Sequence, residues 1–123
     1  MDYTNVKIRK RSGTLVDFDG SKIHSAIAKA IRSTSEDNML EHNDSAIGIL
    51  ADTVYRSVLS KLEEAVAPDD GVDDSLVDVV FEIEHIQDVV EEVLANVVDF
   101  RTAKAYITYR YQHAKNRDTA ALL

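Results

Sequence analysis

The sequence predicts a small α+β domain in which four helices are capped by a two- or three-stranded sheet. Three observations carry this reading. Over residues 5–18 apolar and polar residues alternate on both sides of a glycine-containing turn, the period-2 pattern of a half-buried β-hairpin. Four later stretches place apolar residues three and four apart, the spacing of amphipathic helices. Between the second and third of these lies a β-branched and aromatic run suited to a further strand. At 123 residues the chain makes one ordinary domain.

In the hairpin, Val6 and Ile8 alternate with Lys7 and Arg9, and Val16 and Phe18 with Leu15 and Asp17. Lys10, Arg11, Ser12 and Gly13 form the turn, where Gly13 is free to take positive φ. Ser21 is the expected N-cap of a first helix over about 20–33, striped by Ile23, Ala26, Ile27, Ala30 and Ile31. Ser33 to Asn43 has no apolar period and reads as a loop. Asn43 or Asp44 caps a second helix that turns Ile47, Leu50, Ala51, Val54, Val58 and Leu62 inward. An acidic connection, Pro68 to Asp74, leads to the third strand, drawn from Val77, Val79, Val80, Phe81 and Ile83. The third helix follows with Ile86, Val89, Val90, Val93, Leu94 and Val97. A fourth begins near Asp99 with Phe100, Ala103, Tyr106, Ile107 and Ala114 inward, and is expected to return its cations to the hairpin. The domain should occupy residues 1–117, with 118–123 a frayed tail or the start of a linker.

Composition narrows the chemistry. There is no cysteine, which removes disulfides, zinc ribbons, iron–sulfur sites and thiyl chemistry. No apolar run approaches the roughly 20 residues that span a bilayer, and no signal peptide opens the chain, so the expected location is the cytoplasm. The net charge of −8 is unevenly spread. Residues 1–32 carry seven Lys/Arg and three Asp, residues 33–100 two against eighteen acids, and residues 101–123 five against one. Such a chain repels a long nucleic acid yet can hold a compact anion where its basic ends meet.

The cations cluster. Lys7, Arg9, Lys10 and Arg11 crowd the hairpin, and Lys22 falls in the first turn of the following helix. Lys7 and Arg9 are expected to form a solvated strand face. Lys22 opposes the helix dipole unless an anion sits at that terminus. A triphosphate has the required charge and size, although no GxxxxGK[ST] loop is present.

Three motifs then carry a family resemblance. Lys10-Arg11-Ser12-Gly13 with Phe18 and Lys22-Ile23, then Ile83-Glu84-His85-Ile86-Gln87-Asp88-Val89-Val90-Glu91, then Ala103-Lys104-Ala105-Tyr106-Ile107-Thr108-Tyr109-Arg110 resemble, in order, the opening, middle and closing segments of the ATP-cone domain. The resemblance implies the N-terminal allosteric domain of a ribonucleotide reductase, with no catalytic residues of its own. ATP (activating) and dATP (inhibiting), carried with Mg²⁺, would compete for a cleft under the hairpin and act through oligomeric state. Some members bind two nucleotides. The implied partner is a reductase catalytic domain or subunit, with self-association on dATP. Carried over by motif, Ile8, Lys10, Arg11, Val16, Asp19 and Lys22 line the nucleotide from the hairpin side. Gln87 faces it from helix three, and Lys104, Tyr109 and Arg110 would close it from helix four. Two departures stand out: Ser12 replaces the usual Asp of the turn, and Glu82 takes a position where Ser or Thr often caps helix three.

Other readings are weaker. His24, His42, His85 and His113 form no paired metal motif, and Asp69, Asp70, Asp73 and Asp74 do not fit an EF-hand. Of Tyr106, Tyr109 and Tyr111, two are expected to serve packing. A hydrolase or kinase would need carboxylates for Mg²⁺ beside the phosphates, where only Asp17 and Asp19 are expected. A reductase-gene repressor of this family pairs its cone with a cysteine zinc ribbon. A regulator acting in trans remains the alternative to an excised N-terminal domain.

Overall fold

The computed structural model describes residues 6–34, 44–65 and 79–122, with side chains through Gln112. Its elements are β1 (Val6–Arg9), β2 (Leu15–Asp17), α1 (Gly20–Ser33), α2 (Asp44–Ala65), β3 (Val79–Glu82), α3 (Ile83–Val97) and α4 (Phe100–Leu122). Most of the Ser33–Asn43 loop, the Pro68–Asp74 connection, Val77 and the Ala114 side chain lie outside the described residues.

The strands lie in the order β2-β1-β3. β1 pairs antiparallel with β2 and parallel with β3, so the sheet is mixed. The turn closes through the Lys10 N–H to the Thr14 carbonyl (2.9 Å) and the Gly13 N–H to the Lys10 carbonyl (2.8 Å). Gly13 has φ 89°, a left-handed value open to glycine at little cost. Val6, Ile8, Val79 and Phe81 turn inward and join the helical core.

On the outer face, register puts Lys7 between Asp17 and Val80, and Arg9 between Leu15 and Glu82. Each cation has one carboxylate and one apolar neighbour. Lys7 pairs with Asp17, and Arg9 Nη1 donates to Glu82 Oε1 at 2.6 Å. The expected solvated face is therefore a ladder of exposed ion pairs, each worth about 0.2–1 kcal/mol.

The helices close a ring in which α1 packs on α2, α2 on α3, α3 on α4 and α4 on α1. Ile27 and Ile31 of α1 meet Ile47, Val54, Val58 and Leu62 of α2 and Ile86, Val90, Val93 and Leu94 of α3 in one core. Burying each such Ile or Leu contributes about 1.5–3 kcal/mol. Asp99 caps α4, accepting from the Thr102 N–H and hydroxyl at 2.8 Å each. The buried Thr34 and Thr102 hydroxyls share a 2.7 Å hydrogen bond that ties the end of α1 to the start of α4.

Several expectations are corrected. The cap of α1 is Asp19, not Ser21: its carboxylate accepts from the Ser21 N–H at 3.1 Å, so the helix starts at Gly20. Ile83 opens α3 instead of ending β3. Phe100 and Ile107 point outward, as does Val97 at the end of α3. The cause is geometric. Thr102 and Tyr109 face α1 while Ala103, Tyr106 and Arg110 face α3 or the core. At 3.6 residues per turn this leaves Phe100, Lys104, Ile107 and Tyr111 on the outer stripe.

Candidate functional site

The hairpin lays the expected site residues in a line. Ile8 pairs with Val16 at the middle of the inner face. Lys10 and Arg11 follow at the turn end. Asp19 and Lys22 lie at the other end, where the Phe18 N–H bonds the Val6 carbonyl at 3.1 Å. The strand between these ends spans about 10 Å, so a ligand touching both groups must be elongated.

The turn end meets α3 because parallel pairing sets Glu82, the last residue of β3, beside Arg9. α3 therefore begins next to Lys10 and Arg11. Glu82 occupies its N-cap position and makes no side-chain cap bond, which leaves the first-turn N–H groups without that acceptor. Arg11 Nε lies 3.2 Å from Glu84 Oε1. One turn on, Gln87 carries a buried Oε1 with no hydrogen-bond partner among the described residues. A turn further, Glu91 accepts from Arg110 Nη1 at 2.5 Å. Glu84, Gln87 and Glu91, spaced three and four apart, thus share one face of α3 between the hairpin turn and α4.

Among the described residues, Lys10 and Lys22 make no ion pair, whereas Lys7, Arg9 and Arg11 are each bound to a carboxylate. Asp19 is committed to its cap. The Ser21 hydroxyl, donating at 2.6 Å, holds its carboxyl below the ordinary range, with the Ser21 N–H and Lys22 acting in the same direction. Asp17 is committed to Lys7.

The opposite side of the first turn of α1 is filled by α2. The Tyr55 hydroxyl occupies the space that a side chain at Gly20 would enter. His24 meets the Tyr55 ring edge-on at 5.6 Å and lies 2.6 Å from Asp52. Burial raises the Tyr55 phenol above its ordinary value, with the Asp19 charge adding to it. His24 is thereby a packing and pairing residue of the α1–α2 contact.

The helix-four residues divide. Arg110 is held by Asp88 (3.1 Å) and Glu91, its side chain only 17% exposed. Tyr109 sits under Lys29, whose Nζ is 5.9 Å from the ring centroid. Lys29 follows Lys22 by two turns on the same face of α1, about 10.5 Å along the axis. Lys104 is not brought to the hairpin. It lies on the outer stripe, half a turn past Thr102, which marks the end of the bundle far from the sheet. Tyr106 is buried in the core and Tyr111 is 70% exposed. The structure therefore puts Ile8, Lys10, Arg11 and Val16 on the hairpin with Gln87 one turn past the Glu84 that pairs with Arg11, sets Asp19 and Lys22 at the far end of the same hairpin, and leaves Lys104 apart. The partners of Glu84 and Glu91 are not foreshadowed in the sequence beyond the spacing of the two carboxylates around Gln87.

Comparison with known proteins identifies a family. A family model described as the ATP cone domain matches residues 6–115. The chain is 34% identical over 119 residues to the ribonucleoside-diphosphate reductase subunit alpha of Chlamydia muridarum, covering 94% of this chain and 10% of that protein. It is 32% identical over 117 residues to a vitamin B12-dependent ribonucleoside-diphosphate reductase of Mycobacterium tuberculosis, covering 95% and 14%. A vitamin B12-dependent reductase of Thermoplasma acidophilum is 30% identical over 122 residues, covering 95% and 13%. The chain thus spans about a tenth to a seventh of the length of these relatives. With that model matching residues 6–115, the chain belongs to the ATP cone domain family.

Proposed function

We propose that this domain binds ATP or dATP along the hairpin, and that the nucleotide bound sets the activity of a ribonucleotide reductase through its assembly. One observation carries the assignment of the site: among the described residues Lys10 and Lys22 make no ion pair, while Lys7, Arg9 and Arg11 each make one. The orphaned Gln87 oxygen supports the same cleft, since a buried acceptor without a donor costs about 1–3 kcal/mol unless a ligand or water supplies one.

In this reading Lys10 and Arg11 meet the phosphates. Ile8 and Val16 supply apolar surface at mid-strand, and Gln87 bonds the ligand from α3. Mg²⁺ would arrive with the triphosphate, held by phosphate oxygens and water, since Asp17 and Asp19 are already engaged. The same engagement argues against phosphoryl-transfer catalysis, which needs free carboxylates there. The domain acts as a cytoplasmic regulatory module. Among the described residues, no helix is long and apolar enough to cross a membrane. The outer stripe of α4, with Phe100 and Tyr111 largely exposed, is the surface through which dATP would favour a larger species.

Calorimetry with ATP, dATP, GTP and CTP in Mg²⁺ tests the site: the adenine nucleotides bind much more tightly. Equal affinity for GTP removes the adenine assignment. Light scattering of the complete reductase assembly tests the switch, with a larger mass in dATP than in ATP.

A further inference from the structure

Of the two arginines that tie the hairpin to the start of α3, one is bound firmly and the other loosely. Arg9 makes an aligned 2.6 Å hydrogen bond to Glu82. Arg11 holds Glu84 by charge at 3.2 Å, without hydrogen-bond alignment, and the two side chains are 45% and 61% exposed. A contact of that kind is readily exchanged for a stronger anion. Glu84 also has a second place to rest. It lies in the first turn of α3, where no side chain caps the N-terminus and a carboxylate is favoured by the helix dipole.

We propose that Glu84 is a resident anion that occupies Arg11 until a nucleotide phosphate displaces it, and that it thereby sets the affinity of the site. The inference rests on the nucleotide-binding reading above. A triphosphate carries several charges against one for the carboxylate, so the exchange runs toward the ligand. It leaves Glu84 facing the amides at the start of α3. The hairpin turn and α3 are then linked by the ligand instead of by the ion pair, while Arg9–Glu82 keeps the strands in register.

The test is calorimetry of MgATP binding to the full chain at low ionic strength, in a cycle of Glu84→Gln, Arg11→Gln and the double variant. Glu84→Gln should tighten binding about two- to five-fold, the range expected for release of an exposed ion pair. It should have no effect when Arg11 is already Gln. The gain should shrink at high salt. Glu92→Gln, which removes an α3 carboxylate paired elsewhere with Lys61, should leave affinity unchanged. In the parent, the Arg11 Nε–Hε resonance should move on adding MgATP. Unchanged or weaker binding by Glu84→Gln overturns the proposal, as does an equal gain in both Arg11 backgrounds. Failure of the parent to bind MgATP at all instead removes the site itself, and with it this role for Glu84.

Discussion

Arg110 of α4 places Nη1 2.5 Å from the Glu91 carboxylate of α3, with Asp88 on its other side at 3.1 Å. The Arg110 side chain is 17% exposed and that of Glu91 23%, so the pair is largely withdrawn from solvent. It locks α4 against the face of α3 that also carries Gln87. Removing the cation leaves a partly buried carboxylate without its partner. Arg110→Ala should cost about 1–3 kcal/mol of stability, read as a lower urea midpoint. An unchanged midpoint would show that the pair contributes nothing to the packing of α4.

At Gly20 a methyl group would collide with the Tyr55 hydroxyl and lie 3.0 Å from Cζ. Gly20→Ala should therefore destabilise by about 1–3 kcal/mol through overpacking, despite the better helix propensity of alanine. Adding Tyr55→Phe removes the clashing oxygen and should restore much of the loss. Thermal unfolding of the two single variants and the double variant measures this coupling.

Lys10 and Lys22 should matter to the ligand and little to the fold, since neither holds a structural ion pair among the described residues. A charge-assisted phosphate contact is worth about 1.5–3 kcal/mol, so either alanine variant should weaken ATP binding roughly tenfold or more. Circular dichroism should remain that of the parent. Parental affinity in both variants would mean that the phosphates lie elsewhere.

The Asp19 cap predicts a pH dependence. Hydrogen bonds from Ser21 favour the carboxylate and hold its folded-state value below that of the unfolded chain. Its contribution is therefore complete above the ordinary carboxylate range and is lost as pH falls through the lowered folded value. Carbon-detected titration should show Asp19 protonating below a typical Asp. Asp19→Asn, which keeps an acceptor without the titration, should flatten this part of the acid limb.

What the sequence determined by itself was local. The stripes Ile23 to Ile31 and Ile47 to Leu62 declared their helices, because side chains three and four apart share a face whatever the chain packs against. The hairpin was legible for the same reason, since alternation and a glycine turn act over a few residues. The cation cluster could also be read, because it is contiguous. Tertiary structure decided the rest, because each remaining question concerned residues far apart in the chain. Only the parallel pairing of β3 with β1 brought Glu82 and Glu84 to Arg9 and Arg11, and no local rule chooses that partner. Asp88 and Glu91 likewise come to Arg110 only through the packing of α4 on α3. Phe100 and Ile107 read as core, but a helix wedged between two neighbours buries only the residues facing them. The cap of α1 is local as well, yet it falls at Asp19 and not at the expected Ser21, because the Asp19 carboxylate reaches the Ser21 N–H.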